Sequence, residues 1–213
     1  MLIFLILLNG DEVVKENMAV REKLVRAARD EFLSQGYQKA SLRNIARQAD
    51  VTTGAIYFFF DSKEGLFHAV VDETANLLRQ VLIRGAENEY TGKSSGEEND
   101  RAFILALRQH PEEALILLEK TEGSPMAGFR SELTGLLCDG FMRFFLRAGG
   151  KEADAALVQL LVEQRVHAIL SLIAHRFDLE KTLAYAVLIG AYSEAGFQGM
   201  MQKYHQMIKG SAE

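Results

Sequence analysis

The chain has 213 residues, of which 48% are hydrophobic and 25% charged, and its only cysteine is Cys138. A single cysteine excludes an internal disulfide and any cysteine-based zinc cluster within one chain, as expected for a protein of the reducing cytoplasm. The formal net charge of −5 argues by itself against a nucleic-acid partner. However, residues 18–66 contain eight Lys/Arg and six Asp/Glu, a net charge of +2, whereas residues 1–17 contribute −2 and residues 67–213 contribute −5.

Residues 1–17 begin with the apolar run LIFLILL, which has no flanking Lys or Arg. The run is too short to span a bilayer, and the basic start and small-residue cleavage site of a signal peptide are absent. Two interpretations remain open. Either translation begins at Met18 and residues 1–17 are an extension outside the domain, or the segment is an apolar arm that packs on the body or on a partner.

The first predicted helix starts near Ala19 or Val20. Leu24, Ala28 and Phe32 are spaced four residues apart and therefore form an apolar stripe on it. Gly36 followed by Tyr37 is typical of a left-handed helix end with its hydrophobic contact.

A helix-turn-helix is predicted between Ser41 and Leu66. Apolar residues recur at helical spacing from Leu42 to Ala49 and again from Ile56 to Phe60, with Val51 in the turn. Ser41 and Thr52 are good N-caps, and Asp61 followed by Glu64 is similar to a capping box at the start of the next helix. Lys63 lies in the first turn of that helix, where the helix dipole disfavours a cation unless an anion such as a DNA phosphate shares the site.

This segment resembles the N-terminal domain of the TetR family of bacterial transcriptional regulators. The matching residues are Ser41, Ile45, Ala46, Ala49, Val51, Thr52, Gly54, Ile56, Tyr57, Phe60, Ser62, Lys63 and Leu66. Two positions differ from the family pattern. Asp50 replaces the usual Gly at a turn position expected to need positive φ, which Asp tolerates better than most residues. Phe58 stands where the family often has a polar aromatic residue or His that can donate to a phosphate.

The resemblance implies roles for eight residues of this segment. Thr53, Gly54 and Ala55 are expected nearest the bases in the major groove, and the short side chains of Thr53 and Ala55 favour contact with thymine methyl groups over bidentate readout. The residues expected to hold phosphates are Ser41, Arg43, Thr52, Tyr57 and Lys63.

Six further helices are predicted after the turn. Their expected ranges are 63–89, 100–109, 111–121, 125–148, 151–176 and 179–209. Residues 90–99 form a Gly/Ser-rich loop, and Pro111 and Pro125 are each expected at the first position of a helix. No run alternates with period two over a convincing length, so a sheet is not expected.

The middle helices are rich in large apolar side chains, which by composition indicate a hydrophobic core. The resemblance implies instead a small-molecule pocket there, and an apolar lining would favour a hydrophobic or amphipathic effector. The residues that could line it are Phe103, Leu107, Thr121, Phe129, Leu133, Phe141 and His167.

The last two helices are apolar on more than one face, beyond what one intramolecular contact needs. Ala191, Ala195 and Gly199 form a small-residue strip where another helix could approach closely. Together with Leu161 and Ile169 they are predicted to form a homodimer interface, the arrangement usual in the TetR family; burial inside the monomer is the alternative.

A metal site is not predicted, because His167 and His175 would lie about 12 Å apart along one helix. The sequence contains no Walker loop, G-x-S-x-G or H-E-x-x-H motif, which disfavours an enzyme. The ordered recognition motif disfavours both a helical enzyme and a pure protein-interaction module.

We therefore predict an all-α, cytoplasmic, non-enzymatic regulator without a cofactor or membrane partner. Its expected domains are residues 18–66 for DNA binding and residues 67–213 for effector binding and dimerisation. It would bind a palindromic operator as a homodimer and act as a ligand-responsive repressor, with activation as the alternative.

Overall fold

The computed structural model describes residues 2–151 and 154–210, and the side chains of residues 14–151 and 154–207. None of these residues lies in a strand, so the predicted all-α class is confirmed for the described part of the chain. The helices are α1 (Leu2–Lys39), α2 (Leu42–Gln48), α3 (Thr53–Phe60), α4 (Lys63–Tyr90), α5 (Gly96–Gln109), α6 (Pro111–Glu119), α7 (Phe129–Arg147), α8 (Ala155–Ala174) and α9 (Leu179–Gly210).

The helices form two compact units. The first contains the chain up to Ala75 together with Glu112–Phe129, and the second contains Asn76–Pro111 and the chain from Arg130 onward. The sequence predicts a domain boundary after Leu66, whereas the first unit extends to Ala75 and includes Glu112–Phe129. Two observations explain this difference. The first turns of α4 bury Phe67, Val71 and Ala75, and the end of α6 is tied to the first unit by the Tyr37 N–H, which donates to the Lys120 carbonyl at 2.9 Å.

The core of the first unit is built from the predicted apolar stripe of α1. Leu24, Ala28 and Phe32 are fully buried. The Phe32 ring meets Phe67 edge to face at a centroid distance of 5.1 Å and stacks on Tyr37 at 5.8 Å. These contacts fix α1 against α4 and so provide a base for α2 and α3.

The second unit has two apolar clusters. One surrounds Phe145, Val158, Val162 and Met201, which belong to α7, α8 and α9. The other brings together Ile104 of α5, Leu172 of α8 and Ala186 of α9.

An ion pair links two further helices of the second unit. Arg79 of α4 donates to both carboxylate oxygens of Glu132 on α7, at 2.6 and 2.8 Å. These bonds lower the pKa of the Glu132 carboxyl, because they stabilise its charged form.

The start predicted for the first helix is wrong, because α1 begins at Leu2 and includes the apolar N-terminal run. The side chains of residues 2–13 lie outside the described residues, and so do the contacts of the proposed apolar arm. The end of this helix is closer to the prediction. Gly36 has a positive φ of 73°, and helical residues then continue to Lys39.

The two prolines have different outcomes. Pro111 is the first residue of α6, as predicted, but Pro125 does not begin a helix, since α7 starts at Phe129. Around Pro125 the backbone forms turns that Ser124 stabilises. The Ser124 N–H donates to the Thr121 carbonyl at 2.9 Å, and the Ser124 hydroxyl accepts from the Met126 N–H at 3.0 Å. A polar side chain that offers the backbone local partners competes with helix formation in this way.

Two predicted helix starts shift. α5 begins four residues earlier than predicted, because Ser95 and Glu98 form a capping box. The Glu98 N–H donates to the Ser95 hydroxyl at 3.2 Å, and the Ser95 N–H donates to the Glu98 carboxylate at 2.7 Å. α8 begins at Ala155 rather than Lys151. Its N-cap residue Asp154 does not cap the helix through its side chain, which instead accepts a hydrogen bond from the Tyr204 hydroxyl.

Candidate DNA interface

The turn between α2 and α3 contains Asp50 with the positive φ that the turn motif predicts. This residue has φ 56°, as predicted. Its N–H donates to the Arg47 carbonyl at 3.2 Å, and the following Val51 N–H donates to the Ala46 carbonyl at 2.9 Å. These bonds satisfy the last carbonyls of α2 and hold the two helices as one rigid unit.

The start of α2 is organised by two side chains. Ser41 is the N-cap, with its hydroxyl accepting from the Asn44 N–H at 3.4 Å. The carboxylate of Glu31 on α1 accepts from the Ser41 N–H at 3.0 Å and from the Asn44 side-chain amide at 3.4 Å. Since Glu31 is only 4% exposed, these bonds replace the hydration that its carboxylate loses.

Sequence reasoning missed Glu31, although a signal was present. It lies three residues after Ala28 and seven after Leu24, so it occupies the apolar stripe of α1. A charged residue on the buried face of a helix needs a partner.

We expect Glu31→Leu to lower the free energy of unfolding by about 1–3 kcal/mol, because it leaves the Ser41 N–H without its acceptor. Glu31→Gln should cost less, since its carboxamide oxygen can still accept that bond. Urea denaturation followed by far-UV circular dichroism measures both variants. Equal stability of Glu31→Leu and Glu31→Gln would contradict the role of the hydrogen bond.

Helix α3 has a buried side and an exposed side. Ile56 and Phe60 are 0% and 6% exposed and anchor the helix, whereas Tyr57 is 52% exposed. Gly54 is also exposed, and its missing side chain leaves the backbone accessible, because the nearest atom to a Cβ built there is the Thr52 hydroxyl oxygen at 3.6 Å. The exposed side can therefore approach a groove closely.

The remaining predicted contacts on α2 and α3 fall into two groups. Arg43 and Thr52 are exposed, while Thr53 and Ala55 are partly buried. Thr52 is the N-cap of α3 but makes no capping hydrogen bond through its side chain.

Lys63 is partly committed within the protein. Its ammonium donates to the Gln38 carbonyl at 3.3 Å and lies 4.7 Å from the centre of the Tyr37 ring. Burial lowers its pKa, and the charge of Glu31 opposes this shift. Lys63 therefore joins the end of α1 to the start of α4, and its predicted phosphate contact stays a prediction. The neighbouring cap differs from the prediction, because the Ser62 hydroxyl, rather than Asp61, accepts from the Gly65 N–H at 3.0 Å.

The predicted pocket residues are divided between the two units. Thr121 and Phe129 belong to the first unit, whereas the other five belong to the second. His167 is exposed, and Phe103, Leu107 and Leu133 are buried. A narrow cleft of about 10 Å³, which has room for about one water molecule, lies elsewhere in the second unit and is partly open to solvent. Its lining residues are Asp100, Ile104, Arg165, Ile169, Leu172, Ala186, Ile189, Gly190 and Ser193.

The predicted dimer strip lies on the surface of the described chain. Ala191, Ala195 and Gly199 are exposed, while Leu161 and Ile169 are partly buried. Other large apolar residues of α8 and α9 are also exposed: Leu160 is 64%, Leu188 65% and Tyr192 73% exposed. By length and composition alone, α8 is also apolar enough to cross a membrane, with 33% of its most apolar window buried.

Together, the two short helices, their fixed turn and their exposed polar starts define an all-α protein with a helix-turn-helix domain. Residues 24–70 match the family model described as bacterial regulatory proteins, tetR family. The match covers 47 of the 213 residues and shows that the chain contains the N-terminal domain of this family.

Curated relatives match over part of the chain. The A-factor receptor protein of Streptomyces griseus is 33% identical over 100 residues, which are 46% of this chain and 34% of that protein. The transcriptional repressor BepR of Brucella suis is 31% identical over 75 residues, 35% of this chain and 36% of that protein. The chain thus matches about a third of the length of these relatives.

Solved structures support the fold of about four fifths of the chain. A transcriptional regulator from Aquifex aeolicus, described as TerR/AcrR family, has a TM-score of 0.56 at 19% identity, covering 78% of this chain and 95% of that one. NalD, the secondary repressor of the MexAB-OprM efflux pump of Pseudomonas aeruginosa, gives 0.50 at 18% identity, covering 83% and 97%.

Proposed function

We propose that this protein is a cytoplasmic transcriptional regulator that binds double-stranded operator DNA through α2 and α3. The observation that carries the proposal is the division of α3 into an anchored and an exposed side. Ile56 and Phe60 fix the helix in the core, while Gly54 and Tyr57 face solvent. A recognition helix needs this arrangement, since it must be rigidly held and still enter the major groove.

In this proposal the helix starts bind the DNA backbone. Ser41 and Arg43 at α2 and Thr52 at α3 contact phosphates, together with Tyr57 and Lys63. Because Lys63 already binds the Gln38 carbonyl, its ammonium either shares that bond with a phosphate or exchanges it. Thr53, Gly54 and Ala55 lie nearest the bases.

We expect the protein to bind an inverted-repeat duplex from its own promoter, with affinity that falls steeply as salt rises. Lys63→Ala should weaken specific and nonspecific duplexes about equally and reduce the slope of log affinity against log salt by about 0.9. Lys93→Ala removes the same charge from an exposed loop residue of the second unit and should leave the slope unchanged.

Mobility shift at several salt concentrations measures these slopes. Absence of binding to any promoter fragment at low salt would contradict the function itself. Equal slopes for the wild-type protein and Lys63→Ala would remove Lys63 from the interface and leave the function standing.

We further propose that the protein acts as a homodimer. Two copies would place their α3 helices in major grooves one helical turn apart, about 34–36 Å between half-site centres. The exposed apolar residues of α8 and α9 support this assembly, because large exposed apolar patches are typical of protein–protein interfaces.

Regulation by a small molecule is also part of the proposal. The cleft between α5, α8 and α9 has a mostly apolar lining, which favours a hydrophobic or amphipathic effector, but it has room for only about one water molecule and would have to widen on binding. Phe141 belongs to the pocket region that the sequence predicts. Candidate compounds can be screened for release of operator DNA, and Ile104→Ala and Phe141→Ala then compared for that response. The variant at the effector site should lose the response and keep its operator affinity. A reporter gene behind the operator distinguishes repression from activation.

A further inference from the structure

Phe58 is the most exposed of the large hydrophobic side chains that the structure describes on α3. Its exposure is 74%, higher than the 52% of the neighbouring Tyr57. It lies on the same side of the helix as Gly54, which precedes it by one turn. An exposed phenylalanine contributes little to the fold, so its chemistry points to whatever covers this side of α3.

The ring is held by a neighbouring side chain. Phe58 packs edge to face against Phe59 at a centroid distance of 4.9 Å, and Phe59 is itself partly buried. This contact restricts the orientations of the Phe58 ring before any partner binds, which lowers the entropic cost of using it in recognition.

The chemistry of the ring limits what it can recognise on DNA. Phenylalanine has no hydrogen-bond donor or acceptor, so it cannot bind a phosphate or form a bidentate contact with a base edge. Among the base-pair edges in the major groove, the apolar group is the C5-methyl of thymine. A phenylalanine on the groove side of a recognition helix therefore fits a thymine.

We propose that Phe58 is a specificity-determining residue that contacts a thymine methyl group in each half-site. The inference rests on the proposed DNA-binding function. Phe58 follows Gly54 by four residues, or about 6 Å along the helix axis.

The test uses an operator selected from random duplexes by the wild-type protein. Each thymine is then replaced in turn by deoxyuridine, which removes the methyl group and leaves base pairing intact. At the contacted position this change should weaken wild-type binding about fourfold per half-site, the value of burying roughly one methylene group. Phe58→Ala should bind the thymine operator more weakly and show no further loss with deoxyuridine at that position.

Two controls accompany the measurement. Leu105→Ala removes an exposed apolar side chain of α5 in the second unit and should keep the wild-type response to deoxyuridine. Phe58→Ala should melt at the wild-type temperature, because the side chain is mostly exposed, and this separates a contact effect from misfolding.

The outcomes distinguish the inference from the function on which it rests. A protein that selects no duplex would overturn both. A protein that binds its operator but keeps full deoxyuridine sensitivity at every position in Phe58→Ala would overturn the inference alone. Absence of any deoxyuridine effect in the wild-type protein would also overturn it.

Discussion

Ala195→Arg should convert the protein from a dimer to a monomer and abolish operator binding, although no residue of the DNA interface is changed. Ala195 is exposed in the single chain and lies between Tyr192 and Gly199 on α9. An arginine there would place a charge without a partner where two copies meet. If that contact is fully dry, leaving a buried charge unpaired costs about 3–5 kcal/mol, enough to shift the equilibrium strongly toward monomer.

The loss of DNA binding follows from geometry. A palindromic operator presents two half-sites, and a dimer binds both with its two recognition helices at fixed spacing. A monomer holds only one half-site, so it loses the contribution of the second. The two effects should therefore appear together in the same protein concentration range.

Light scattering and mobility shift measure the two effects separately. Ala102→Arg is the matched control, because it introduces the same charge at an exposed alanine of α5. We expect it to stay dimeric and to bind operator. A dimeric Ala195→Arg variant would show that the interface lies elsewhere.

The parts of the fold that were predictable from sequence are those set by local chemistry. The long helix from Lys63 was predicted to end near Glu89 and ends at Tyr90, and the positive φ of Asp50 followed from the turn motif. Pro125 was placed wrongly because a proline suits several positions of a turn as well as a helix start. The early start of α5 was readable from Ser95 and Glu98, which have the spacing of a capping box.

Tertiary features were less accessible. The grouping of residues 112–129 with the first unit depends on contacts such as that of Tyr37 with Lys120, which join distant parts of the chain and have no periodic signal. The same limit applies to the effector site. The apolar residues Phe103, Leu107 and Leu133 could have lined a pocket or filled a core, and they are buried. Helical periodicity reports which side of a helix is buried and does not report whether the space opposite is occupied.

Gly65→Ala should destabilise the first unit, although alanine normally favours a helix. Gly65 lies in the first turn of α4, and a Cβ built on it would be 2.1 Å from the Phe60 carbonyl oxygen. That oxygen belongs to the backbone at the end of α3 and also accepts from the Ser62 N–H at 2.6 Å. It cannot move without opening the turn between α3 and α4. Overpacking of this kind costs about 1–3 kcal/mol, which should exceed the gain in helix propensity of up to about 1 kcal/mol.

The same displacement should weaken operator binding, because Phe60 anchors α3 in the core. Gly135→Ala provides the control. Gly135 lies within α7, and nothing lies within 4 Å of a Cβ built there, so this variant should be more stable than the wild type by about 0.5–1 kcal/mol. Urea denaturation and operator affinity together measure the effect. The same substitution is therefore expected to lower the free energy of unfolding at Gly65 and to raise it at Gly135. A Gly65→Ala variant as stable as Gly135→Ala would show that the turn between α3 and α4 has room for a methyl group.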